Sequence, residues 1–270
     1  MVPFDSPVSD FMTRELEVVH AEATLAEVAR RLDERRISGV PVVDAWNTPL
    51  GVISRSDLVH SGRLRAGNHR GGVALRLPEL LAGDVMTKQP VCIAPHAPLV
   101  EAAKLMRQHH IHRLCVVDDA GRLIGIITTQ DLTAVVRDAR VDRPVSEIMT
   151  TPIVSVRAEQ PIGVAIERLD KAQVTALVVV DGDLPVGVFT QIEALASRDL
   201  PRATPIDDLF EPAIICLPSD TRIHRAAAQV ARLDVRRIVA CRDREAIGIV
   251  SGLDFARVVA GEFDAAAPAA

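Results

Sequence analysis

At the end of four similar short runs a hydroxyl stands three residues ahead of an acid: Ser54 and Asp57, Thr128 and Asp131, Thr190 and Glu193, Ser251 and Asp254. Each follows a Gly-apolar-apolar run, at Gly51, Gly125, Gly187 and Gly248. Two chemistries use such a pattern. In one it is a capping box, with the hydroxyl capping a helix and the acid bonding back to the cap. In the other the same helix start faces a ligand. Its free N–H groups and hydroxyl hold phosphate, and the carboxylate accepts bonds from both hydroxyls of a ribose. The two are compatible, because a cap positions the group that meets the ligand.

Phosphate also needs positive charge. His112-Arg113 and Arg236-Arg237 each stand just before an apolar run and could supply it. The bland alternative is that Arg113 and Arg237 pair with surface acids. His112 lies close to His109 and His110, which invites a metal, yet that spacing without a nearby Cys or acid is weak for zinc. Cys92, Cys115, Cys216 and Cys241 are scattered among apolar neighbours without a CxxC, and are expected to be buried free thiols of a reducing cytosol. Neither a Ser-His-acid set nor a phosphate-binding Gly-rich loop with its Lys is visible, so no enzyme is expected.

Composition narrows the setting. Hydrophobic residues are 48% and charged residues 25%, which suits a packed protein rather than a disordered one. With six Phe, one Trp and no Tyr, the core must be aliphatic. A net charge of −5 gives no overall basic field to attract nucleic acid or membranes. The first ten residues lack the basic and apolar regions of a secretory leader. No apolar run is long enough to span a bilayer. A cytoplasmic location is expected, with no membrane or nucleic-acid partner.

The elements that position the four motifs recur in register. Val8-Ser9-Asp10-Phe11-Met12-Thr13 resembles segments ending at Met86-Thr87, Met149-Thr150 and Phe210-Glu211. Thirteen residues past Met12, Met86, Met149 and Phe210 begin four apolar stripes: Leu25/Val28/Ala29/Leu32, Leu99/Ala102/Ala103/Met106, Ile162/Ala165/Ile166/Leu169 and Ile223/Ala226/Ala227/Val230. That spacing is one face of an amphipathic helix. Short apolar runs then open at Ile37, Ile111, Val174 and Val235, followed by a turn and the glycine-led run that carries the motif. Each repeat reads strand, helix, strand, strand, helix. The predicted bounds are 8–60, 82–138, 145–198 and 206–261, with a basic, Gly-rich linker over 61–81. One repeat alone buries too little surface to be comfortable, so pairing by strand faces is expected.

This repeat, closing on Gly-h-h-[Ser/Thr]-x-x-Asp, resembles the CBS domain. The resemblance implies an α+β fold of four β-α-β-β-α repeats paired into two pseudo-twofold Bateman modules, similar in layout to the gamma subunit of AMP-activated kinase. It further implies a non-enzymatic regulatory module that senses AMP, ADP, ATP or S-adenosylmethionine in clefts, with no cofactor required. A homodimer formed through module pairing and a regulated partner protein also follow from it. Positions matching the family's base contacts are Val18, Cys92, Ser155 and Cys216, then Ile37-Ser38-Gly39, Ile111-His112, Val174-Thr175 and Val235-Arg236. Arg113 and Arg237 match its phosphate-facing site, while Ser54, Ser56, Asp57, Thr128, Asp131, Ser251 and Asp254 match the motif. The third repeat departs from it: Glu193 replaces Asp and Ala176 replaces Arg, so Ser155, Thr175, Thr190 and Glu193 are weaker candidates. The competing reading is a constitutive dimerisation scaffold.

Overall fold

A computed structural model describes residues 4–66, 77–174, 176–182, 184–197, 200–207, 209–210, 215–233, 235–243 and 245–263. The elements follow the predicted order four times. Repeat 1 gives β1 (Val19–His20), α1 (Leu25–Glu34), β2 (Gly39–Val43), β3 (Pro49–Ser54) and α2 (Arg55–Ala66). After α3 (Ala82–Val85) and β4 (Thr87–Lys88), repeat 2 gives β5 (Cys92–Ile93), α4 (Leu99–Gln108), β6 (Arg113–Val117), β7 (Leu123–Thr128) and α5 (Thr129–Ala139). Repeat 3 gives β8 (Ser155–Arg157), α6 (Ile162–Lys171), β9 (Ala176–Asp181), β10 (Leu184–Thr190) and α7 (Gln191–Ala196). Repeat 4 gives β11 (Cys216–Pro218), α8 (Ile223–Leu233), β12 (Arg237–Arg242), β13 (Glu245–Ser251) and α9 (Gly252–Val259). The segment predicted as a linker starts in helix, since α2 runs to Ala66; residues 67–76 lie outside the described residues.

All four predicted stripes are buried, from Leu25 at 0% exposure to Val230 at 7%. They form helices because each presents its apolar groups on one side and charges on the other. Thr24 caps α1 by accepting from the Glu27 N–H. The stop is also shared: Arg36, His110 and Gln173 hold left-handed φ values of 53°, 52° and 52° just past α1, α4 and α6. In every repeat the first strand then pairs parallel to the second, and the second antiparallel to the third. A helix is the ordinary crossover for such a parallel pair.

The chain forms two compact units. One holds Met1–Leu16, Val91–Ile153 and Ala213–Ala270, and therefore the bodies of repeats 2 and 4. The other holds Glu17–Pro90 and Val154–Pro212, with the bodies of repeats 1 and 3. In the first, α5 packs on α8 and α9 while α4 packs on α9, around a core that includes Met106, Leu132 and Phe255. In the second, α2 packs on α7 over a core that includes Leu58 and Phe189. Among the described residues, the main packing between the two repeats of a unit is helix on helix, and strand residues of both repeats, such as Leu114 and Ile238, share the core of the first unit. The apolar sides of these helices are what each repeat cannot cover alone.

Neighbouring repeats also exchange their opening segments. Thr13, which opens repeat 1, bridges Ile126 on β7 of repeat 2. β4, which opens repeat 2, pairs with Gly51 and Val52 on β3 of repeat 1. Thr150, which opens repeat 3, bridges Ile249 on β13 of repeat 4. The methionine ahead of each threonine lies on the glycine that leads the closing motif. A Cβ at Gly125 would stand 2.4 Å from Met12 Sδ, at Gly51 2.6 Å from Met86 Sδ, and at Gly248 2.5 Å from Met149 Sδ. Gly51, Gly125 and Gly248 thus admit a side chain from another repeat.

Candidate functional site

Each motif sits where a strand feeds directly into a helix, so its hydroxyl ends the strand and its acid lies in the first helical turn. The geometry is the same in all four repeats. The Ser54 N–H and hydroxyl both donate to Oδ2 of Asp57, at 2.7 and 2.6 Å. Thr128 does so to Oδ2 of Asp131 at 2.7 Å for both bonds, and Ser251 to Oδ2 of Asp254 at 2.7 Å for both. In repeat 3 the longer Glu193 reaches the same place through Oε2, 2.7 Å from the Thr190 N–H and 2.5 Å from its hydroxyl. Every acid thus bonds back to the cap, and the hydroxyl's proton goes to the acid. The hydroxyl oxygen keeps its acceptor capacity.

The second carboxylate oxygen separates the repeats. Oδ1 of Asp254 accepts from the Thr150 hydroxyl at 3.0 Å, and Asp254 is buried. Among the described residues, Asp57 and Asp131 have no such second donor, and both are only half-buried. Burial pushes the carboxyls of Asp131 and Asp254 above the usual range, against the opposing effect of the bonds from Thr128 and Ser251.

In the unit of repeats 2 and 4 the two motifs approach each other. A Cβ at Gly252, the first residue of α9, would lie 2.3 Å from the hydroxyl oxygen of Thr129, the first residue of α5. The Thr129 N–H donates to the His112 carbonyl at 3.0 Å, tying the motif to the predicted phosphate-facing pair. His112 itself is pushed down to about 4, first by burial and then by the positive charges of Arg237, Arg113 and Arg236. Residues from two repeats therefore share one cationic neighbourhood beside two helix N-termini. Ile111 and Val235 are half-buried and pack against the core of the same unit.

The unit of repeats 1 and 3 has no counterpart to that cluster among its described residues. At the matching positions stand Ser38 and Gly39, half-buried with Ile37, and Ala176; Thr175 lies outside the described residues. The cation at its motif is Arg55, which sequence reading overlooked because it fills a variable position. Arg55 is 6% exposed and turned inward: it bonds Asp33 at 2.5 Å, the Leu32 carbonyl at 2.9 Å and the Ile37 carbonyl at 3.2 Å. Its charge is neutralised within the repeat. Ser56 is half-buried on the first turn of α2.

Of the four positions predicted to meet a base, Val18 and Ser155 are half-buried, and their carbonyls take the guanidinium groups of Arg31 and Arg168 at 3.3 and 2.5 Å. Cys92 and Cys216 are exposed and Cys241 half-exposed, leaving Cys115 as the one buried thiol; all four are free. The expectation of buried thiols fails because strand alternation sends Ile93 inward and Cys92 out. The histidine cluster also dissolves. His109 caps α4 and His110 takes the left-handed turn, so both end a helix. Among the described residues no three His, Cys, Asp or Glu side chains gather to hold a metal.

Comparison with known proteins agrees with this architecture. The family model for the CBS domain matches residues 8–63, 82–138 and 145–198, more than half of the chain. The fourth repeat falls outside those matches, but its elements run in the same order. A solved Methanocaldococcus jannaschii protein, proposed as an archaeal homologue of g-AMPK, superposes with a TM-score of 0.82 at 16% identity, covering 93% of this chain and 99% of that one. A CBS domain-containing protein of Dictyostelium discoideum is 35% identical over 128 residues, which are 46% of this chain and 87% of that protein. An inosine-5'-monophosphate dehydrogenase of Korarchaeum cryptofilum is 30% identical over 122 residues, 45% of this chain; the match spans only 22% of that enzyme's length. No helix among the described residues is long and apolar enough to cross a membrane. The chain belongs to the CBS domain family.

Proposed function

We propose that the protein is a non-enzymatic regulatory module that senses adenosine nucleotides, and that its principal ligand carries phosphate. One observation supports this reading above the others: His112, Arg113, Arg236 and Arg237 share a neighbourhood next to two converging [Ser/Thr]-x-x-Asp helix starts. Helix N-termini and guanidinium groups both favour anions. AMP, ADP or ATP complements such a cluster; S-adenosylmethionine, which carries a sulfonium and no phosphate, does not. Asp131 is the residue proposed to take the ribose hydroxyls, with its second oxygen turned to neither Thr128 group. A homodimer, a regulated protein partner and a cytoplasmic location belong to the same proposal.

The competing reading, a constitutive scaffold, draws support from repeat 4, whose Asp254 has both oxygens engaged within the protein. A thermal-shift panel of AMP, ADP, ATP and S-adenosylmethionine separates the two. A binder at one hundred times its Kd gains about 2.7 kcal/mol of stability. The expected order is ATP and ADP, then AMP, with S-adenosylmethionine weakest. No shift with any of them at millimolar concentration would favour the scaffold.

A further inference from the structure

Two cysteines of repeat 2 face each other. In the parallel pair of β5 and β6, Cys92 stands in register with Cys115. Partners on adjacent strands lie about 4.8 Å apart and project to the same face, inside the roughly 4.4–6.8 Å that separates the Cα atoms of a disulfide. The two thiols hydrogen-bond to each other, and both are free. Their environments differ in a useful way. Cys92 is exposed to incoming reagents, while Cys115 is 1% exposed. The bond from Cys115 brings the Cys92 thiol down to about 7, so a large share of it is thiolate at neutral pH.

We propose that Cys92 and Cys115 form a redox-responsive dithiol, closed to an intrachain disulfide by low-molecular-weight disulfides. The Cys92 thiolate attacks one sulfur of the small disulfide, whose S–S bond breaks and releases one thiolate. Cys115 gives its proton to solvent and attacks the Cys92 sulfur, expelling the second thiolate. The protein loses two electrons and two protons, and the reagent becomes two thiols. Repeat 4 provides an internal contrast. There Cys216 stands opposite Val239 and Cys241 opposite Pro218, so that pair is diagonal even though its two thiols also hydrogen-bond. Diagonal Cα atoms on adjacent strands lie roughly 8 Å apart, beyond the reach of a disulfide without backbone movement.

The inference does not depend on nucleotide binding, and its test needs none. The full chain is treated with oxidised glutathione at neutral pH, then read by intact mass and non-reducing peptide mapping. The expected product has lost two hydrogen masses and links the peptides of Cys92 and Cys115. Cys92→Ser removes the link. Cys115→Val, which copies the valine of repeat 4, leaves a lasting glutathione adduct on Cys92. A stable adduct on Cys92 of the unaltered protein would overturn the proposal, as would two unreacted thiols or a preferred Cys216–Cys241 bridge.

Discussion

The Thr150 hydroxyl donates to Oδ1 of Asp254 at 3.0 Å, joining residues 104 apart in sequence. Ser251 already occupies Oδ2 twice, so Asp254 fastens the opening segment of repeat 3 to the closing motif of repeat 4. Removing this buried carboxylate leaves three donors without their partner; a buried one would cost about 1–3 kcal/mol, but Thr150 is exposed and Ser251 half-buried, so water offsets part of the loss. Asp254→Ala is therefore expected to destabilise the fold by about 2–4 kcal/mol in denaturant unfolding, and Asp131→Ala by about half as much. Nucleotide affinity should show the reverse order. Equal stability losses for the two variants would mean that the Thr150 bond contributes nothing.

Asp57, Asp131 and Glu193 make the same two bonds to their cap residues, so those bonds cannot rank them as ligand sites. Burial can. Thr190 is 6% exposed, whereas Ser54 and Thr128 are half-buried and open to a ligand. In titration calorimetry, Asp131→Ala is expected to lower nucleotide affinity tenfold or more, and Asp57→Ala less, since its unit lacks the cationic cluster. Glu193→Ala should change affinity less than twofold. Equal effects from all three would refute the ranking.

His112 titrates near 4 in the fold and near 6.5 when unfolded. A base whose pKa is lowered on folding contributes stability above its unfolded pKa and loses it as pH falls through the folded one. Wild-type stability should therefore decline between about pH 6.5 and 4, by up to about 3 kcal/mol from this residue. His112→Gln should flatten that decline in urea unfolding at stepped pH. An anionic phosphate among Arg113, Arg236 and Arg237 would offset their repulsion of the imidazolium and lift the His112 pKa. Nucleotide binding near pH 5 is then accompanied by proton uptake, visible as a dependence of calorimetric heat on buffer ionisation enthalpy. Heats that do not vary with buffer would place the phosphate elsewhere.

Order and register of the elements were legible in the sequence because apolar periodicity is local: the Leu99/Ala102/Ala103/Met106 stripe declares its helix without help from the rest of the chain. The hydroxyl-to-acid bonds were legible for the same reason, spanning three residues. The bond from Thr150 to Asp254 was not, because nothing in the pattern near either residue points 104 positions away. The convergence of α5 and α9 had one faint signal, Gly252, a helix-opening glycine that only the approach of Thr129 explains. Arg113 and Arg237 could be placed at the same position of two repeats, but the gathering of their repeats into one unit depends on which helix faces remain uncovered. The cysteines misled because an apolar neighbourhood in sequence alternates between two faces in a strand.

The glycines that lead the closing motifs give the sharpest test of the exchanged segments. At Gly125 the three atoms nearest an added Cβ all belong to the Met12 side chain, the first at 2.4 Å, and a methionine side chain can shift. At Gly51 it meets Met86 Sδ at 2.6 Å and also the Thr87 carbonyl oxygen at 2.7 Å. That oxygen belongs to β4, whose pairing with β3 fixes it in place. Gly51→Ala must then displace backbone, at a cost in the upper part of the roughly 1–3 kcal/mol range for overpacking. Gly125→Ala should cost about 1 kcal/mol, and shortening the obstacle by Met12→Ala should relieve its steric part. Met86→Ala should fail to rescue Gly51→Ala, because the carbonyl stays. A double-mutant cycle in urea reads the difference: coupling between residues 12 and 125, and little between 86 and 51. Strong coupling at both pairs would show that β4 yields as readily as a side chain, and that its two ladder positions hold repeat 2's opening segment only loosely.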